Sequence, residues 1–226
     1  MLGKFFITAT PIGNLDDISI RMKETWVSVD VILCEDTRVT QTVLNHLKIS
    51  KTVMSYHQHS DDLRIKEIAK LLQEGKSLAL VTDAGTPGIS DPGGRLIQEL
   101  LKQFGDALNI IPIPGPSALT AALSICGFPA DEFIFLGFPP HKKGRQTFFK
   151  RLDTLESTIV YYESTHRILK SLEELHDSIK DRPIVVCREL TKMYETIYRG
   201  TAADVKQQLE TTSIKGEFVV VIHPKK

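Results

Sequence analysis

Along this chain, short apolar runs alternate with stretches in which apolar residues recur every three or four positions. Residues 4–9, 29–34, 52–55, 77–81 and 108–113 are rich in Val, Ile, Leu or Phe and are bounded by turn chemistry, so each predicts a strand. Between them, residues 37–47, 63–73 and 95–104 have helical spacing. In the second of these, Leu63, Ile65, Ile68, Leu71 and Leu72 make one face, while Arg64, Lys66, Glu67 and Lys70 make the other. Strands separated by helices predict a mainly parallel sheet with both faces covered.

Residues 110–123, IIPIPGPSALTAAL, break this rhythm. Pro112, Pro114 and Pro116 do not fit a continuous ladder or a helix interior, so the chain changes direction there, and Ser117 is placed to cap a small-residue helix over residues 118–125. The alternation then resumes, with strands expected at 133–137, 158–162, 183–188, 196–198 and 217–223 and helices at 145–152, 166–178 and 202–210. Closely spaced strands near the C-terminus predict some antiparallel pairing. The expected fold is α/β: an N-terminal α/β domain over residues 1–113 and a C-terminal one over 114–226, with a cleft between them.

Composition narrows the function. The chain has 226 residues, 42% of them hydrophobic, enough to bury a core, and its 28 basic side chains equal its 28 acidic ones, so it lacks the overall positive charge of a dedicated nucleic-acid binder. Its 3 cysteines, Cys34, Cys126 and Cys187, are scattered without CxxC spacing, which points to reduced core thiols in a cytoplasmic protein. His57 and His59 stand two apart, but without a third ligand at useful spacing no metal is expected. The opening FFI run is too short for a signal peptide or membrane span.

Three loops rich in Gly and Pro follow predicted strands: TPIGNL after the first, DAGTPGISDPGG after the fourth, and PIPGPSA at the boundary. At strand ends of an open α/β sheet such loops bring backbone close to a ligand. None matches a dinucleotide or phosphate-cradle motif, and their carboxylates and carbonyls suit an ammonium or sulfonium group better than a polyphosphate. Alone, the first loop reads as a tight turn. In the second, Asp91 serves either a ligand or the cap of a helix starting near Pro92; in the third, Ser117 serves either as an N-cap or, with Ala118, as a carboxylate-binding helix start.

The ordered segments ATPIGNLDDIS, EDTR, DAGTPGISDPG, PIPGPSA, GFPPHKKGR, YESTHR, RELTK and KGE resemble those of the tetrapyrrole methylase superfamily, and within it the branch acting on small-subunit ribosomal RNA. The likeness spans nearly the whole chain. It departs at Thr165, where proline is usual, and at Ser60, where asparagine is usual, whereas the first loop, TPIGNLDD, favours the RNA branch over a tetrapyrrole substrate. The resemblance implies 2'-O-methylation of a cytidine ribose in the decoding region of 16S rRNA, with S-adenosyl-L-methionine as donor and a homodimeric enzyme. A methyltransferase of a tetrapyrrole or other small molecule is the alternative.

On this reading the cofactor-binding set is Thr10, Pro11, Gly13, Asp83, Ala84, Gly85, Thr86, Ile89, Ser90, Gly115, Ser117 and Ala118. A ribose hydroxyl is a weak nucleophile that benefits from a base or a cation. Acids at strand ends include Glu35, Asp36 and Glu217; Glu163, His166, Glu189 and Lys192 are the catalytic candidates. Arg38, Lys142, Lys143 and Arg145 are the expected substrate-binding residues, the last three in a basic loop after Pro139 and Pro140. A basic loop on a neutral protein suits recognition of an assembled particle better than binding of free RNA.

Overall fold

A computed structural model describes residues 1–58 and 60–225. The chain divides into two compact units, Met1–Ser117 and Ala118–Lys226.

Unit 1 is built on five parallel strands, β1 (Phe5–Thr8), β2 (Val31–Cys34), β3 (Thr52–Ser55), β4 (Leu78–Leu80) and β5 (Ile110–Ile113), in the order β3-β2-β4-β1-β5. The continuous apolar runs of the inner strands follow from burial on both faces. Val31 and Leu33 of β2 join one hydrophobic cluster, while Ile32 and Cys34 join the other. The first cluster is covered by α3 (Asp62–Gln73) and α4 (Gly94–Phe104), through Ile65, Ile68, Leu96 and Leu100. The second is covered by α1 (Ile20–Ser28) and α2 (Thr37–Leu47), through Met22, Trp26, Val43 and Leu44. Pro112 lies within β5 after all, and the ladder tolerates it because β5 is an edge strand.

Sequence periodicity assigned no element to α1, whose exposed Ile20 and Val27 blur its single apolar stripe. Its start is nonetheless encoded, since the Ser19 hydroxyl accepts the Met22 N–H at 3.1 Å. Helix α4 begins at Gly94, so the N-cap position falls on Gly93, whose φ of 140° suits glycine, and not on Asp91.

Unit 2 carries β6 (Phe133–Phe135), β7 (Thr158–Ser164), β8 (Ile184–Arg188), β9 (Thr196–Gly200) and β10 (Glu217–Ile222), ordered β6-β7-β10-β8-β9. Only the β6–β7 pair is parallel, so the antiparallel pairing expected near the C-terminus is present. Helices α6 (Arg145–Leu152), α7 (Ile168–Ile179) and α8 (Ala202–Thr211) bury Leu152, Leu172, Leu175, Val205 and Leu209 against one sheet face, while α5 (Ala118–Cys126) lies along β10. Strand β7 runs on to Ser164 and α7 starts only at Ile168, so His166 sits in an intervening turn instead of the expected helix. All three cysteines are buried and unpaired, and burial pushes the Cys187 thiol up to about 12. No described helix is long and apolar enough to cross a membrane.

Candidate functional site

The adjacent strands β4 and β1 send their following chain to opposite faces of the sheet, toward α4 and α1 respectively. At such a switch point the loops after the two strands part and leave a crevice beyond their carboxyl ends. Two of the glycine-rich loops arise here, and the third follows the neighbouring β5. Thr10 and Gly85 join the first two in an antiparallel bridge, Thr10 N–H donating to Gly85 O at 2.8 Å and Gly85 N–H to Thr10 O at 3.2 Å. The buried Thr10 hydroxyl donates to Thr82 O at 3.0 Å. Thr86 Oγ1 donates to Pro116 O at 3.4 Å, tying the second loop to the third. A Cβ on Gly115 would stand 3.0 Å from Ala9 Cβ, so the third loop lies directly against the first.

Glycine at 85 is required by conformation, with φ of 91°, more than by lack of space. Ser90 adopts φ of 61°, a strained choice for a residue with a side chain. Pro11 and Gly85 are buried, whereas Gly13, Ala84, Ile89, Ser90 and Gly115 line the exposed rim. Ser117 closes the third loop and Ala118 begins α5.

A fourth loop belongs to this group, and only the strand order reveals it. EDTR follows β2, the other neighbour of β4, and Asp36 N–H donates to Asp83 Oδ1 at 3.1 Å. Burial lifts the Asp83 carboxyl above its ordinary value, with the Asp36 N–H working against it. Burial also raises Glu35, and the charge of Asp83 adds to the effect. Asp36 is the opposite case: the Arg38 guanidinium bonds it at 2.6 Å and holds it down to about 2. These carboxylates, with the carbonyls of the bridged loops, form a donor set that fits a sulfonium and amino group, and the glycines leave room for close backbone approach.

In unit 2, three of the quoted segments meet at one end of the sheet. Thr165 Oγ1 both donates to Gly216 O at 2.6 Å and accepts Gly216 N–H at 2.7 Å, joining YESTHR to KGE. Glu189 Oε1 accepts from Glu217 N at 2.9 Å and from Lys192 Nζ at 3.0 Å, and Lys192 also reaches Glu217 Oε2 at 2.6 Å. Burial pushes Glu189 up, but the Glu217 N–H and Lys192 outweigh it and hold the carboxyl below its usual range. For Lys192 burial works downward and is outweighed by Glu217 and Glu189, so its pKa is raised. Glu189 and Thr191 have φ of 52° and 66°, strain that this network sustains. His166 is exposed in its turn.

Glu163 is enclosed: its side chain is 0% exposed and lies 2.8 Å from Arg167 Nε and 3.8 Å from Arg145 Nη1. Arg145 is likewise buried, paired with Glu174 at 2.7 Å, whereas Lys142 and Lys143 project into solvent. Arg38 lies in unit 1, in the first turn of α2. Among the described residues no group of His, Cys, Asp or Glu is arranged to hold a metal ion. His59 lies outside the described residues.

The family model of the tetrapyrrole (corrin/porphyrin) methylases matches residues 4–206. The chain belongs to this family. Membership makes it a methyltransferase by class, and curated relatives match it over nearly its whole length. A protein of Thermotoga maritima named ribosomal RNA small subunit methyltransferase I is 42% identical over 99% of this chain and 100% of its own length. One of the same name from Synechocystis is 44% identical over 98% of this chain and 79% of its own. The solved structure of cobalt precorrin-4 methyltransferase, a cobalamin biosynthetic enzyme, superposes with a TM-score of 0.72 at 20% identity, covering 97% of this chain and 94% of that one, which extends the likeness of fold.

Proposed function

We propose that this chain transfers a methyl group from S-adenosyl-L-methionine to the 2'-oxygen of a cytidine ribose in the decoding region of 16S rRNA, within the small ribosomal subunit. The observation that carries the reading is the bridging of the glycine-rich loops at the switch point through Thr10 and Gly85. Thr10, Pro11, Gly13, Asp83, Ala84, Gly85, Thr86, Ile89, Ser90, Gly115, Ser117 and Ala118 would hold the donor. The donor supplies an already activated methyl on its sulfonium, so the protein's work is alignment and electrostatics. Asp83 and the loop carbonyls orient the cationic end, and the Thr10–Gly85 pairing fixes the two loops relative to each other.

On the substrate side, Lys142 and Lys143 meet phosphates of the particle, and the exposed Arg38 adds a further cation. Of the acid–base candidates, His166 has a free-standing exposed position, while Glu189 and Lys192 are bound to each other. We therefore assign proton acceptance from the ribose hydroxyl to His166, with the Lys192–Glu189 pair holding the neighbouring backbone. A homodimer working in the cytoplasm completes the reading, on the strength of the family resemblance.

The test is methyl transfer from labelled S-adenosyl-L-methionine to small subunits purified from cells lacking the enzyme, the label being mapped by nuclease digestion and mass spectrometry. Label on a decoding-region cytidine ribose is expected. Transfer to a porphyrinoid and to no ribosomal substrate would overturn the assignment, and equal methylation of naked 16S rRNA would remove the preference for an assembled particle.

A further inference from the structure

The basic segment His141–Lys142–Lys143 is exposed, yet its two ends are fastened to the interior of unit 2. At its entry, Pro139 and Pro140 have no N–H to donate, so only their carbonyls can anchor the chain. Both are taken: Arg167 Nη1 donates to Pro139 O at 2.9 Å and Arg145 Nη1 to Pro140 O at 3.2 Å. Arg145 itself closes the exit of the loop as the first residue of α6. Two guanidinium groups in so enclosed a place require nearby negative charge. Glu163 supplies it from beneath both and Glu174 from beside Arg145. Phe149 and Phe138 lie 5.1 and 5.9 Å from the Arg145 and Arg167 guanidinium carbons, shielding their faces.

We infer that Glu163 is the positioning residue of the basic loop. Its buried carboxylate holds Arg167 at 2.8 Å and attracts Arg145 across 3.8 Å, beside the 2.7 Å bond from Glu174; the two guanidinium groups hold consecutive prolyl carbonyls, and Lys142 and Lys143 are thereby presented in one geometry. A loop ordered in advance loses less freedom on binding, so the effect is on affinity for the particle. Glu163 touches no ribose; it acts through the loop. The inference rests on the reading of Lys142 and Lys143 as RNA contacts.

The experiment combines proteolysis with kinetics on the full chain. In Glu163→Gln, trypsin cleavage after Lys142 and Lys143 is expected to quicken by about tenfold, because cleavage follows the population of the opened loop. KM for small subunits should rise by about tenfold with kcat within about twofold, the signature of lost binding shared by ground and transition states. Adding E163Q to K142A/K143A should raise KM no further. Should E163Q fail to fold, E174Q, which releases Arg145 from its more accessible side, is expected to shift both readouts the same way by less. An unchanged cleavage rate in both variants, or a collapse of kcat with KM intact, overturns the inference. An unchanged KM in K142A/K143A instead overturns the RNA-contact reading, and is distinguishable because cleavage still responds to E163Q.

Discussion

Thr10 and Gly85 face each other as a two-bond antiparallel bridge between loops whose parent strands run parallel. The bridge places backbone, not side chains, at the centre of the proposed donor site, so substitutions there act through conformation and close approach.

Gly85→Ala adds a methyl with its nearest neighbour at 3.5 Å, so space is adequate and the cost is the positive φ, about 1–2 kcal/mol. Gly115→Val differs, since its first atom already lies 3.0 Å from Ala9 and its branches must displace the first loop. Both variants should weaken S-adenosyl-L-methionine binding by calorimetry, with G115V the worse by about tenfold. Equal affinity in G115V and the wild type would mean that the loop contact is irrelevant to the ligand.

Asp83→Asn tests the buried carboxyl. Because its folded pKa is raised, the folded chain holds this proton to higher pH than the unfolded chain does. The associated stability is complete below the ordinary carboxylate value of ~3.9 and is lost as pH rises through the folded value. Asparagine removes that dependence while still able to accept the Asp36 N–H. D83N should therefore melt at least as high as the wild type at pH ~7, match it in acid, and bind the donor about tenfold more weakly. A lower melting temperature at neutral pH would show that the charge is net stabilising.

Lys192→Met removes the cation between Glu189 and Glu217. The lowered pKa of Glu189 contributes stability above ~4.3 that fades as pH falls through its folded value, and the raised pKa of Lys192 contributes stability below ~10.4 that fades as pH rises through its own. The melting gap between K192M and the wild type should be widest between these limits and narrow outside both. A pH-independent gap would leave packing as the whole effect.

Thr165→Val deletes both bonds to Gly216 and leaves its N–H without that acceptor, at a cost of about 1–3 kcal/mol. For a chain of this size that is a fall of roughly 2–12 °C in Tm, readable by calorimetry. Serine at this position should restore most of the loss.

Much of this was legible in sequence because local chemistry and tertiary structure agree. Residues 37–47, 52–55 and 145–152 form elements at the expected bounds, since turn residues stop their patterns sharply. The Gly and Pro loops were recognisable for the same reason. What escaped depended on distant neighbours. That EDTR joins the loops through Asp83 follows from β2 lying beside β4, which no local window contains. Glu163 and Arg145 looked like other strand-end acids and loop cations, because enclosure is a property of the folded unit alone. Asp91 had the spacing of a cap, but the helix starts later, with Gly93 at the cap position.

Pro112 carries one more consequence. Phe5 N–H and Ala9 N–H reach Asn109 O and Ile113 O, so along β5 the alternate residues Ile110 and Pro112 turn their backbone outward. A foreign strand arriving at this margin would find no donor at Pro112 and could not zip along it. Pro112, seated in the strand just before its third loop, thus guards the sheet against templated self-association, a safeguard most useful while the chain is newly made and its neighbours are crowded.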